Sequence, residues 1–94
     1  MIKYREGYEI DYIRLMELFS ESGRDNESTE YNRLVKMVEN SNLVVTVWDF
    51  DYMVGFAQLT LDESLNRQIE NLMVDLEYQN EGIEEELRRR ILYI

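Results

Sequence analysis

Residues 68–92 read QIENLMVDLEYQNEGIEEELRRRIL. Two patterns meet in this run. QIENLMVD (68–75) reads as a strand, whereas Leu87 and Ile91 stand four apart, as residues on one face of a helix do. Between them a polar stretch carries one glycine, Gly82. A strand, a glycine turn and a helix in that order point backbone N–H groups outward at the helix N-terminus, where the helix dipole favours negative charge. Four glutamates nevertheless crowd the turn: Glu81, Glu84, Glu85 and Glu86.

Working outward, MVGFAQLTL (53–61) and LVVTVW (43–48) are rich in apolar and β-branched residues, and DFDY (49–52) supplies a turn between them. They predict a hairpin. DESLNR (62–67) turns the chain again into the strand at 68–75. Gly55 inside a strand predicts a bulge or a close backbone approach. Upstream, Tyr12, Leu15 and Phe19 fall on one helical stripe with Ile13 and Met16 beside it. Asp11 is the expected N-cap and Gly23 the expected stop. A second helix is expected with Ser28 or Thr29 as its cap and Tyr31, Leu34, Val35 and Val38 on its inner face. IKYRE (2–6) reads as a first strand. The expected order is β-α-α-β-β-β-α, an α+β chain with a mainly antiparallel sheet packed against helices.

Composition narrows the classes. The chain has 94 residues, which predicts one small domain over 1–94. It contains no cysteine and no histidine, so thiolate metal sites and histidine bases are excluded. No apolar run approaches the ~20 residues of a membrane helix, and MIKYREGYEI has no signal-peptide pattern, so a cytoplasmic protein is expected. Net charge is −10, falling as −3 over residues 1–47 (six basic, nine acidic) and −7 over 48–94 (four basic, eleven acidic). Such a surface repels nucleic acid and anionic membrane and attracts basic partners.

The order of elements, with VGFAQLTL and IENLMVDLEYQNEGIEEELRRRIL, resembles the Gcn5-related N-acetyltransferase (GNAT) superfamily. In that family a Val-Asp-Pro-Glu-Tyr-like strand end is followed by a Gln/Arg-x-x-Gly-x-Gly/Ala turn and a helix. Here the strand end is Val74-Asp75-Leu76-Glu77-Tyr78 and the turn is Gln79-Asn80-Glu81-Gly82-Ile83-Glu84. The resemblance implies that Leu72, Met73 and Val74 would lie along the pantetheine arm and acetyl group of acetyl-CoA. It also implies that Gln79, Asn80, Glu81, Gly82, Ile83 and Glu84 would hold the pyrophosphate. A strand carboxylate serves some members as general base, which would fall to Glu70. The chain departs from the family pattern at Glu84, where a second Gly or Ala is usual, and at Glu81, where a basic residue is frequent. It corresponds to the first part of the family fold, so a truncated domain is expected, lacking the other wall of the cofactor cleft.

A plain structural role also accounts for the glutamates. Acidic residues in the first turn and basic ones in the last suit the dipole. Glu84–Arg88, Glu85–Arg89 and Glu86–Arg90 are i,i+4 pairs in the better orientation. Asp49, Asp51, Asp62 and Glu63 match no calcium loop and read as polar turns, so no metal is expected. Trp48, Asp49, Phe50, Asp51 and Tyr52 bring aromatics and acids to one hairpin tip, a composition suited to a basic partner. Cross-strand packing of the same aromatics is the plainer alternative.

Two functions follow as expectations. The first is a non-catalytic acidic protein-binding module without a cofactor. Its contacts would be Trp48, Asp49, Phe50, Asp51, Tyr52, Glu81, Glu84 and Glu85. The target would be a basic or nucleic-acid-binding protein, as for an inhibitor of the phage anti-defence type. The alternative is a minimal acetyl-CoA-dependent N-acetyltransferase completed by dimerisation. In both, an open edge on the strand at 68–75 and exposed Ile69, Leu72 or Ile91 predict a homo-oligomer or an obligate protein partner.

Overall fold

The structure, a computed structural model, describes residues 1–23 and 30–93. Four strands form one antiparallel sheet: β1 (Ile2–Glu6), β2 (Leu43–Asp49), β3 (Tyr52–Leu61) and β4 (Arg67–Val74), in the order β1-β2-β3-β4. Helices α1 (Tyr12–Glu21) and α2 (Tyr31–Glu39) cover one face, and α3 (Ile83–Tyr93) covers the other. The expected order β-α-α-β-β-β-α is the order found. A 3-10 turn at Leu76–Tyr78, which the sequence reading did not separate, lies between β4 and α3.

Helices on both faces explain why β2 and β3 read as continuous apolar runs rather than as alternating ones. Val44, Trp48, Met53, Phe56 and Met73 pack under Leu15, Leu18, Phe19, Leu34 and Val38. Val45, Val47, Val54, Ala57 and Leu59 pack under Ile83, Leu87 and Ile91. Phe56, Leu15, Leu34 and Leu87 are fully buried, each contributing about 1.5–3 kcal/mol.

Gly55 meets both expectations placed on it. Val47 lies opposite Gly55 and Trp48 opposite Met53, so Val54 is the extra residue of a bulge. A Cβ at Gly55 would stand 3.0 Å from Val47 Cγ2. A second irregularity pairs Gln58 with Asn71 and Leu59 with Ile69, leaving Glu70 as the extra residue of β4.

Asp11 caps α1, accepting the Arg14 amide at 3.0 Å, and Gly23 follows the helix at φ +77°. The inner face of α1 differs from the expected stripe. Ile13 is exposed, and Arg14 is buried with Leu15, Leu18 and Phe19. The reason is a set of acceptors that only the folded chain brings together. Arg14 Nε donates to the Met53 carbonyl at 2.9 Å, Nη2 to Asp75 at 2.6 Å and Nη1 to Glu17. On α2, Leu34 and Val38 are buried and Val35 is half-buried. Tyr31 is exposed at the start of the helix, its ring 5.4 Å from that of Tyr12. The N-cap of α2 is Glu30, without a side-chain cap bond, in place of the expected Ser28 or Thr29; those two and Ile94 lie outside the described residues. Ile91 is fully buried under α3 rather than exposed, because its side chain completes the packing on β2 and β3. Ile69 and Leu72 are half-buried. No helix among the described residues is long and apolar enough to cross a membrane.

Candidate functional site

The end of β4, the 3-10 turn and the first turns of α3 enclose a cleft of about 320 Å³. Val74, Tyr78, Gln79, Asn80, Gly82, Glu84, Glu85 and Arg88 line it. A smaller groove of about 140 Å³ runs between the C-terminal end of α1 (Leu18, Glu21, Ser22) and Leu72, Met73, Val74 and Leu76. Val74, Gln79 and Glu84 border both hollows.

The turn's backbone is set by two left-handed residues, Asn80 (φ +66°) and Gly82 (φ +77°). The space beyond the Gly82 α-carbon is open. The first helical bond of α3 runs from the Glu86 amide to the Gly82 carbonyl at 3.1 Å. The amides of Ile83, Glu84 and Glu85 have no protein acceptor among the described residues. These are the orphan donors of a helix N-terminus, and they face the cleft end of α3.

Side-chain charge partly opposes an anion there. Glu84 is drawn along the helix to Arg88 at 3.3 Å, both side chains remaining about half exposed. Glu85 is exposed, and the expected Glu85–Arg89 pair does not form. Arg89 binds Glu86 instead, and Arg90 joins the same carboxylate at 2.7 Å. The third glutamate thereby takes both cations on the side away from the cleft. The turn thus presents free backbone amides and the Arg88 guanidinium beside the carboxylates of Glu84 and Glu85.

The carry-over residues divide by position. Leu72, Met73, Val74, Gln79, Asn80, Gly82 and Glu84 border the hollows. Ile83 lines neither hollow, because its side chain is buried beneath α3. Glu81 is exposed and lines neither hollow. Glu70 lines neither hollow; it is exposed at the β4 irregularity and accepts the Thr60 hydroxyl at 2.9 Å.

The hairpin tip also separates. Trp48 is buried, its indole N–H bonded to Thr46 Oγ1 at 2.7 Å and the Arg5 guanidinium over its ring. Asp49 accepts the Met1 ammonium at 3.0 Å and the Tyr78 hydroxyl at 2.8 Å, tying the tip to the cleft. That bond pushes the Tyr78 hydroxyl up to about 12 and holds the Asp49 carboxyl below its ordinary range. Phe50, Asp51 and Tyr52 remain on the surface.

Three features were not anticipated from the sequence. The Arg14–Asp75 pair fastens α1 to the end of β4, with both side chains almost fully buried. Asp75 also accepts the Glu77 amide, so one carboxylate fixes the entry into the turn. Glu21 borders the groove from across the sheet end. Burial, and then the charge of Asp75, raise its carboxyl above the usual range. The only sequence signal for these was the Val-Asp-x-Glu-Tyr strand end itself.

No protein-family model matches the chain, and no curated protein matches it. Solved structures do. Protein SA2161 of meticillin-resistant Staphylococcus aureus superposes with a TM-score of 0.83 at 20% identity, over 97% of this chain and 66% of that one. The GNAT-family acetyltransferase SP0256 of Streptococcus pneumoniae gives 0.79 at 23% identity, over 98% and 66%. N-acetylglutamate synthase of Neisseria gonorrhoeae, solved with coenzyme A and N-acetyl-glutamate, gives 0.78 at 16% identity, over 97% and 22%. The chain thus spans about two thirds of the first two relatives and a smaller part of the third. Along nearly its whole length, this chain has the fold of the Gcn5-related N-acetyltransferases.

Proposed function

We propose that the chain binds an acyl-coenzyme A thioester and transfers its acyl group to an amine. The observation that carries this is the position of the 320 Å³ cleft. It opens at the uncapped start of α3 and continues along the end of β4. N-acetylglutamate synthase, part of which shares this fold, was solved with coenzyme A.

The amides of Ile83, Glu84 and Glu85, with the Arg88 guanidinium, would hold the diphosphate. Leu72 and Val74 lie on an edge strand, with no neighbour beyond β4 among the described residues. The Val74 carbonyl already accepts the Gln79 side-chain amide at 2.8 Å, and the other outward N–H and C=O groups suit the amides of a pantetheine arm. When bound, the cofactor supplies an activated acyl carbon; the chain orients it and manages the proton. The Arg14–Asp75 bond and the Tyr78–Asp49 bond keep the two sides of the turn in place. A second copy paired along the first half of β4, around half-buried Ile69, would leave Leu72 and Val74 to the cofactor and close the cleft.

A second reading, an acidic protein-binding module, rests on Phe50 and Tyr52, which are 74% and 44% exposed beside Asp51. Acetyl-CoA titration by calorimetry at low ionic strength decides between the readings. Micromolar binding is expected. Absence of heat at millimolar acetyl-CoA overturns acyl transfer. The second reading then requires salt-sensitive binding of a lysine-rich peptide that Asp51→Lys weakens.

A further inference from the structure

We propose that Glu21, not the strand carboxylate Glu70, accepts the proton of the attacking amine and draws a cationic primary amine to the thioester. The assignment rests on the acyl-transfer reading above.

Glu21 is the last residue of α1 and belongs to two adjoining hollows. On one side it meets the narrow groove whose other wall is Leu72, Met73 and Val74. On the other it borders an open depression with Arg14, Glu17, Ser20 and Tyr52. Glu21 is the one residue that lines both the open depression and the groove. The inner groove is walled mainly by Leu18, Leu72, Met73, Val74 and Leu76. Such walls suit the acyl end of the pantetheine arm, and the outer depression beside Glu17 and Glu21 suits an incoming ammonium.

The surrounding charges leave Glu21 available. Arg14, the nearest cation of its own helix, is already bonded to Asp75, Glu17 and the Met53 carbonyl. Glu21 itself forms no salt bridge among the described residues. Glu17 on α1, Asp75 at the end of β4 and Glu84 on α3 add negative charge around it, and Tyr52 on β3 closes the outer side. An incoming ammonium would supply the counter-ion that Glu21 lacks among the described residues. Burial and Asp75 also raise the carboxyl above its ordinary range, which makes it a stronger proton acceptor. Glu70, by contrast, accepts the Thr60 hydroxyl and lies outside both hollows.

In the step, the ammonium gives one proton to the Glu21 carboxylate. The freed nitrogen lone pair forms the N–C bond at the thioester carbonyl carbon. The C–S bond breaks, and the thiolate takes the second proton lost by the nitrogen. The products are an N-substituted amide and free thiol, and Glu21 returns its proton to solvent.

The test uses the full chain, acetyl-CoA and a panel of primary amines: 1,5-diaminopentane, spermidine and a lysine-containing peptide. Thiol release is followed across pH, and acetyl-CoA affinity is measured separately. Wild type is expected to show kcat/KM rising with pH along an acidic limb. Glu21→Gln should keep the acetyl-CoA Kd within about twofold, lose roughly 100-fold or more in kcat/KM and lose that limb. Glu21→Asp should recover part of the rate, and Glu63→Gln, in the exposed β3–β4 turn, should behave as wild type. If Glu21→Gln releases thiol at the wild-type rate with the limb intact, the assignment falls and acyl transfer stands. If wild type binds acetyl-CoA but releases no thiol with any amine, acyl transfer and the assignment fall together.

Discussion

Arg14 and Arg89 each hold carboxylate oxygens through their guanidinium groups, but one does so inside the protein and the other in water. The Arg14 side chain is 7% exposed and its partner Asp75 6%; Arg89 is 60% exposed. Geometry alone does not separate them. Solvent does: it screens and competes with the outer pair far more than with the nearly buried inner one. The inner pair also joins distant parts of the chain, α1 and the end of β4, whereas the outer one joins neighbours on a single helix. The cleft therefore depends on Arg14 for its shape, and the EEELRRR helix sets mainly the charge at its mouth.

The largest effect should come from breaking the inner pair on one side only. Arg14→Met leaves Asp75 buried beside the Met53 carbonyl without its cation, a loss expected to cost about 3–5 kcal/mol. Urea unfolding of wild type and variant measures it. Adding Asp75→Leu should return much of the stability, because no buried charge then remains. It should not return acetyl-CoA binding, since the Glu77 amide loses its acceptor and the entry to the turn is no longer fixed. A small loss in Arg14→Met would show that water reaches the pair and would erase the contrast with Arg89.

The same contrast explains what the sequence made legible. Strand and helix order followed from period and turn residues, because β2, β3 and the faces of α1 and α3 are built on local rules. Gly55 announced its bulge because only a glycine fits against Val47. Arg14 was illegible: an arginine between Ile13 and Leu15 looks like a surface residue until Asp75, sixty-one positions later, is brought to it. Glu21 was hidden for the same reason, since its groove exists only where α1 meets the end of β4. Conversely, EEELRRR gave three regular pairs on paper, and the folded helix concentrates two arginines on Glu86 and leaves Glu85 unpaired among the described residues. Trp48 and Asp49 looked like parts of one tip, but strand alternation turns the indole inward, and Asp49 is taken by Met1 and Tyr78.

A smaller effect is expected at the mouth of the cleft. Glu84→Gln removes one negative charge from the lining and frees Arg88 from its partner. One unit charge at about 4 Å in a water-like dielectric is worth about 1 kcal/mol. Acetyl-CoA should therefore bind roughly fivefold tighter at low salt, and the gain should shrink as ionic strength rises. The urea midpoint should scarcely move, since both side chains are half exposed. Unchanged affinity would mean that Glu84 does not face the bound phosphates.

The smallest effect tests the outer pair itself. Hydrogen bonds from Arg89 and Arg90 hold the Glu86 carboxyl down to about 2 against an ordinary value of 4.5. A carboxyl lowered by folding stabilises the fold at pH above its unfolded value, and that contribution disappears as pH falls through the folded value. The melting temperature of wild type should thus exceed that of Glu86→Gln slightly at pH 6, and the gap should close between about pH 4.5 and pH 2. Molar salt at pH 6 should narrow the same gap, because both arginine side chains stand in water. The difference between wild type and Arg14→Met should survive that salt, because the ions that screen Glu86 cannot enter between Arg14 and Asp75. If salt closes both gaps alike, the two pairs differ in position but not in kind, and the cleft is held by packing rather than by its buried ion pair.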